Sequence, residues 1–138
     1  MRARLDKERP GKSPWDLKEI KGGLFDIEFI VQALQLIHAP RDANVLSFNT
    51  LDALKNLATI AAFDKGMSER LHRATRLYQA LTQILRLTIE GPFRPGDASA
   101  SLRALITKAA QAASFAEVES QLQIIEADTR VIFSKLIG

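Results

Sequence analysis

Hydrophobic residues recur every three or four positions along nearly the whole chain, which is the period of an α-helix packed on one side. The first run covers about residues 23–38, "GLFDIEFIVQALQLIH", and Pro40 ends it. Asn49 or Thr50 can cap a second helix, with Leu51, Leu54, Leu57, Ala58 and Ala61 on one face before Asp64-Lys65-Gly66 interrupts it. Ser68 is the expected cap of a third, whose stripe is Leu71, Ala74, Leu77, Tyr78, Leu81, Leu85 and Thr88. "EGPFRPGDAS" holds Gly91, Pro92, Pro95 and Gly96 close together and reads as a loop. A fourth helix is expected over about 99–113. Ser114 and Glu117 form a capping box that opens a fifth, running to about Leu136. No segment alternates with the period of two that a strand requires. The pattern predicts an all-α fold, an antiparallel bundle of about five main helices.

The first helix carries features that core filling does not explain. Gly22 and Gly23 precede it, and Asp26 and Glu28 lie in its first turns. A carboxylate in a first turn is favoured by the helix dipole and the unpaired N–H groups there. Asp26, however, shares its face with Ile30, Ala33 and Ile37, so its charge begins a stripe expected to be buried. Glu28 lies about 200° further round the helix, beside Gln32 and Gln35. The two acids therefore diverge and cannot form a paired acid/base site. Glycines, the nearby Lys18 and Lys21, and a helix N-terminus together suit a phosphate or the backbone of another domain. The spacing matches neither a P-loop nor a dinucleotide fingerprint.

Composition narrows the classes. The 138 residues are 46% hydrophobic and 25% charged, as in a globular domain. Acidic, basic or amide residues interrupt every apolar run before the ~20 residues of a membrane span. The opening "MRARLDKERPGK" has no apolar stretch, so no secretory leader is expected. There is no cysteine, which removes disulfides and thiolate metal sites and fits a reducing, cytoplasmic setting. His38 and His72 have no metal-ligand spacing. Residues 1–21 hold seven bases against four acids, and the remaining twelve of each cancel, so this arm carries the whole net charge of +3. A basic arm can meet nucleic acid, but Trp15 is its only aromatic, and nucleic acid is not the expected partner.

"DLKEIKGGLFDIEFIVQ", residues 16–32, resembles the signature of the glutamate-ammonia-ligase (glutamine synthetase) adenylyltransferase family. The motif reads Lys18, three residues, Gly22-Gly23, Leu24, Phe25, then Asp26-Ile27-Glu28-Phe29. "NTLDALKNLATIAAF" and "LYQALTQILRL" are similar to the family's next helices, and "VESQLQIIEADTRVIFSKLIG" resembles its C-terminal end. Two positions depart from the pattern. Phe25 stands where a polar residue is common, and "AAFDKGM" replaces a glycine-centred turn.

The resemblance implies a helical domain that follows the adenylylating nucleotidyltransferase head and lines its cleft. That head transfers AMP from ATP to glutamine synthetase. The expected organisation is a basic exit segment from the head over 1–21 and a helical bundle over 22–138. No Gly-Ser pair and no Asp-x-Asp occurs in the chain. The metal-binding carboxylates of the head are therefore outside it, and the chain alone is expected to be inactive. No residue here is expected to be catalytic or to bind metal; magnesium and ATP belong to the full-length enzyme. The candidate cleft or head-junction residues are Lys18, Gly22, Gly23, Asp26 and Glu28. The implied partners are the head, glutamine synthetase and the PII protein, with no membrane. The runner-up is the helical domain of a PII uridylyltransferase, which shares a Gly-Gly-Leu-x-Asp element; a third reading is a free-standing helical scaffold or nucleic-acid binder. On the family reading, Gly23→Val should damage transfer while sparing the stability of this domain, and Asp26 should be held by the helix's own N–H groups or by Lys18 or Arg4.

Overall fold

Short-range signals set the start of each helix. In the structure, a computed structural model that describes residues 15–43, 46–47, 49–88 and 94–137, five α-helices follow one another. They are α1 (Leu24–His38), α2 (Thr50–Thr59), α3 (Lys65–Thr88), α4 (Ala100–Ala109) and α5 (Phe115–Leu136). A single 3₁₀ turn, Pro95–Asp97, precedes α4. No strand occurs among the described residues.

Side-chain caps show why four of the five helices begin where they do. The Asn49 side chain accepts the Asp52 N–H at 3.1 Å, and that of Ser99 accepts the Leu102 N–H at 3.1 Å. Ser114 Oγ accepts the Glu117 N–H at 3.2 Å, and Glu117 Oε2 reaches back to the Ala113 N–H at 3.1 Å, completing the expected capping box. The third helix differs from expectation. It begins at Lys65, before Ser68, because Asp64 Oδ1 accepts the Met67 N–H at 2.8 Å. Asp64, expected only as part of the break after the second helix, caps the third. The fourth helix ends at Ala109, short of residue 113.

Two helices end in the same hydrogen-bonded turn without glycine. After α2 the Ala62 N–H bonds to Leu57 O and the Ala61 N–H to Ala58 O, with Ala61 at φ 56°. After α4 the Ala112 N–H bonds to Thr107 O and the Gln111 N–H to Lys108 O, with Gln111 at φ 56°. Both are Schellman turns, in which a left-handed residue brings the last N–H groups back onto orphan carbonyls. The sequence "AAFDKGM" therefore makes the usual corner with alanine at the left-handed position.

Helix α3 is the longest and packs on all four others; α1 also touches α2 and α5, and α4 touches α5. Ile27, Ile30, Leu54, Leu57, Leu71, Tyr78, Leu81, Ile106, Leu122 and Ile132 are essentially sealed from solvent between them. Fully burying each such aliphatic side chain stabilises the fold by about 1.5–3 kcal/mol. The α1 stripe differs in detail from expectation. Leu24, Ile27, Ile30, Val31, Leu34 and Gln35 are buried, while Ile37 is exposed. Gln35 is not on a polar face, since its amide donates to Ser47 O at 3.1 Å.

The basic segment is part of the body from Trp15 onward. Trp15 and Leu17 are core residues. Trp15 stacks on Phe115 with ring centroids 5.5 Å apart and 7° between planes, and its Nε1 donates to Glu119 Oε2 at 3.3 Å. The structure thus carries the bundle across the expected boundary at residue 21/22. Arg4, named above as a holder of Asp26, lies outside the described residues.

Candidate functional site

The motif residues build a knuckle at the N-terminus of α1. Residues 16–23 turn back on themselves, with Ile20 N–H bonding to Asp16 O at 2.9 Å and Gly23 N–H to Ile20 O at 2.7 Å. This brings two backbone carbonyls over the start of the helix. Leu17 O accepts the Leu24 N–H at 2.8 Å and Lys18 O accepts the Phe25 N–H at 3.0 Å. The Asp26 and Ile27 N–H groups both point to Gly23 O. All four orphan donors of the first turn are thereby occupied within the chain. The reading of this helix end as an open phosphate cradle does not hold, for that reason.

Both glycines are needed by this packing. Gly22 adopts φ +86°, and a Cβ built there would lie 2.3 Å from the Glu126 carbonyl oxygen on α5. A Cβ on Gly23 would lie 2.6 Å from Leu17 O and 2.8 Å from Ile20 O. Backbone atoms cannot swing aside as a side-chain tip can. The expectation that Gly23→Val would spare the stability of the domain is corrected by these contacts.

Asp26 and Tyr78 lock the knuckle. Asp26 is 8% exposed, and its Oδ2 accepts the Gly22 N–H at 2.6 Å. That oxygen is thus bonded to an amide of the preceding turn, while the Lys18 side chain is exposed. A short bond from an amide to an ionised oxygen is about twice as strong as a neutral one. On the other side of the same peptide unit, the Tyr78 hydroxyl of α3 donates to Gly22 O at 2.8 Å. Burial, helped by the charges of Glu126 and Asp26, pushes the Tyr78 phenol well above its usual range, while Arg130 opposes that shift. Burial also raises the Glu126 carboxyl, partly offset by Arg130, which lies 4.0 Å away one turn along α5. One glycine therefore ties α1, α3 and α5 together.

Glu28 points elsewhere. It is half-buried, beside the exposed Phe25 and the partly exposed Phe29 on α1; Phe29 touches Phe133 with ring centroids 5.8 Å apart. Lys18 and Lys21 are exposed at the same end of α1. The motif thus splits into a buried half (Gly22, Gly23, Asp26) and an outward half (Lys18, Phe25, Glu28, Phe29). Tyr78 was read from the sequence only as part of a hydrophobic stripe. Its polar role depends on a residue 56 positions away, so no local signal marks it. Among the described residues, no three histidine or carboxylate groups converge on a point where a metal ion could be held. No described helix is long and apolar enough to cross a membrane.

A family model described as GlnD PII-uridylyltransferase matches residues 1–91. Three relatives are named bifunctional glutamine synthetase adenylyltransferase/adenylyl-removing enzyme. That from Rhodopseudomonas palustris is 40% identical over all 138 residues, that from Bradyrhizobium diazoefficiens 36% over 137 residues, and that from Xanthobacter autotrophicus 34% over 137 residues. In each case the match covers 99–100% of this chain but 14% of the relative, so the chain spans about a seventh of these enzymes. A match to one family model over 1–91, together with matches to adenylyltransferases that continue through α5, places the chain: it belongs to the family described as GlnD PII-uridylyltransferase, and within it is related over its whole length to a stretch of the glutamine synthetase adenylyltransferases.

Proposed function

We propose that this chain is the helical domain that backs the nucleotidyltransferase head of a glutamine synthetase adenylyltransferase, lining its cleft and acting in the cytoplasm. One observation carries the reading: the knuckle satisfies itself internally yet turns Lys18, Phe25 and Phe29 outward around Glu28. A pair of exposed rings beside lysines is a surface that a neighbouring domain would cover. The 14% share of the relatives leaves ample chain to supply that neighbour. In this arrangement Gly22, Gly23 and Asp26 set the angle of the junction, and Glu28 orients a nucleotide hydroxyl or a basic group of the head.

The carboxylates here do not fit a magnesium site, because Asp26 is committed to the Gly22 amide and Glu28 diverges from it on the helix. Magnesium and ATP would be held by the head, and no chemical step is assigned to this chain. Two measurements test the reading. The isolated chain, incubated with ATP, magnesium and glutamine synthetase, should give no AMP transfer above background. In the full-length enzyme Glu28→Gln should lower transfer while the domain melts at an unchanged temperature; normal turnover in that variant would refute the role of Glu28.

The uridylyltransferase reading is favoured by the match of residues 1–91 to the PII-uridylyltransferase family model. The adenylyltransferase relatives outweigh it because their match also covers α4 and α5. Comparing ATP with glutamine synthetase against UTP with PII, as substrate pairs for the full-length enzyme, decides between the two.

A further inference from the structure

A cleft of about 950 Å³ opens between α2, α3, the end of α4 and α5, and no residue of α1 or of the knuckle lines it. Its charge is lopsided. Lys55 enters from α2, and His72, Arg73 and Arg76 from α3, against a single acid, Glu69. None of these four bases makes an ion pair among the described residues. Arg73 and Arg76 are three residues apart, so their side chains rise from neighbouring turns of one helix face. Leu77 of α3 and Ile124 of α5 form an apolar wall, and Ile124 is 58% exposed although it faces the cleft.

We propose that this cleft binds a phosphorylated small molecule of about mononucleotide size. Guanidinium forks match the oxygens of a phosphate two at a time, and Lys55 supplies a third positive charge from the opposite helix. The apolar wall takes the carbon body of the ligand. Glu69 would repel a bare phosphate but can accept a hydrogen bond from a ligand hydroxyl, which favours an organic phosphate with a sugar-like part. The volume lies within the usual ~300–1,000 Å³ of small-molecule sites. No aromatic residue lines the cleft, so it offers no platform for stacking successive bases, and an extended nucleic acid is not its occupant.

The test is direct titration of the 138-residue chain with AMP at low salt, followed by calorimetry. A dissociation constant between about 10 and 300 μM is expected, the range a few charge-assisted contacts give. Arg73→Gln/Arg76→Gln, with an unchanged circular dichroism spectrum, should weaken binding at least tenfold, and inorganic pyrophosphate should bind less tightly than AMP. Glu28→Gln should bind AMP as the parent does. The proposal is overturned by three outcomes: no saturable binding up to about 5 mM, where affinity falls below useful strength; equal binding by the double variant; or tighter binding of an oligo-glutamate peptide than of AMP. The readout involves no AMP transfer, so it succeeds or fails independently of the role proposed for the knuckle.

Discussion

Replacing Gly22 by alanine should destabilise the isolated chain far more than a surface glycine substitution does. Three costs add. A left-handed φ of +86° costs an L-residue roughly 1–2 kcal/mol. The new Cβ would lie 2.3 Å from Glu126 O, so α5 or the knuckle must move, and overpacking of this kind costs about 1–3 kcal/mol. Movement also strains the bonds from Tyr78 and to Asp26, each worth about 1 kcal/mol or more. Because one relaxation relieves part of all three, about 2–5 kcal/mol is the reasonable total. That is a large share of the 5–15 kcal/mol available to a domain. At about 3–5 °C per kcal/mol for a chain of this size, the melting temperature should fall by roughly 6–25 °C. Thermal melts followed by circular dichroism, alongside urea titration, measure it. Gly66→Ala is the internal control. It sits in the first turn of α3 with only Asp64 Oδ1 near, at 3.3 Å, and alanine favours a helix, so stability should change by less than about 0.5 kcal/mol. A Gly22→Ala melt within 2–3 °C of the parent would refute the argument that this glycine is locked against α5.

Tyr78 is the one tyrosine of the chain, so its ionisation can be followed by ultraviolet absorbance without interference. Its folded pKa is raised, which means the folded state holds the proton more tightly; stability should therefore be lost as pH rises above the usual value of about 10, and absorbance should report ionisation only as the protein unfolds. Tyr78→Phe should cost about 1–2 kcal/mol, by leaving Gly22 O without its donor, and should flatten that alkaline loss. Asp26→Asn keeps an acceptor but loses the charge, so a drop of about 1 kcal/mol is expected in urea titration, and no change would show that the amide bond needs no carboxylate. Ala61→Gly removes a left-handed alanine from the α2 corner and should raise stability by about 1 kcal/mol, whereas a lower melting temperature would mean the alanine methyl is needed there.

The helices were legible because their causes are local. The spacing of Leu71, Ala74, Tyr78 and Leu81 marks one side of α3 whatever lies against it, and all four are buried. Asn49, Ser99 and Ser114 act on N–H groups three residues away, so their side chains can be recognised without knowing the rest of the fold. What could not be read is whatever depends on a distant partner. Gly22 and Gly23 looked like a device for meeting another molecule, and Gly22 instead meets the backbone of Glu126, 104 residues later. Trp15 looked like part of a basic exit segment until Phe115 and Glu119 were brought beside it. Ala61 and Gln111 gave no turn signal, because the hydrogen bonds that hold them left-handed outweigh the ordinary preference of their side chains. Periodicity and capping are properties of a few neighbouring residues and survive in the sequence alone. Close approach, burial of Asp26 and the tie from Tyr78 arise only when α1, α3 and α5 are packed, since only packing decides which backbone atoms must share the same space.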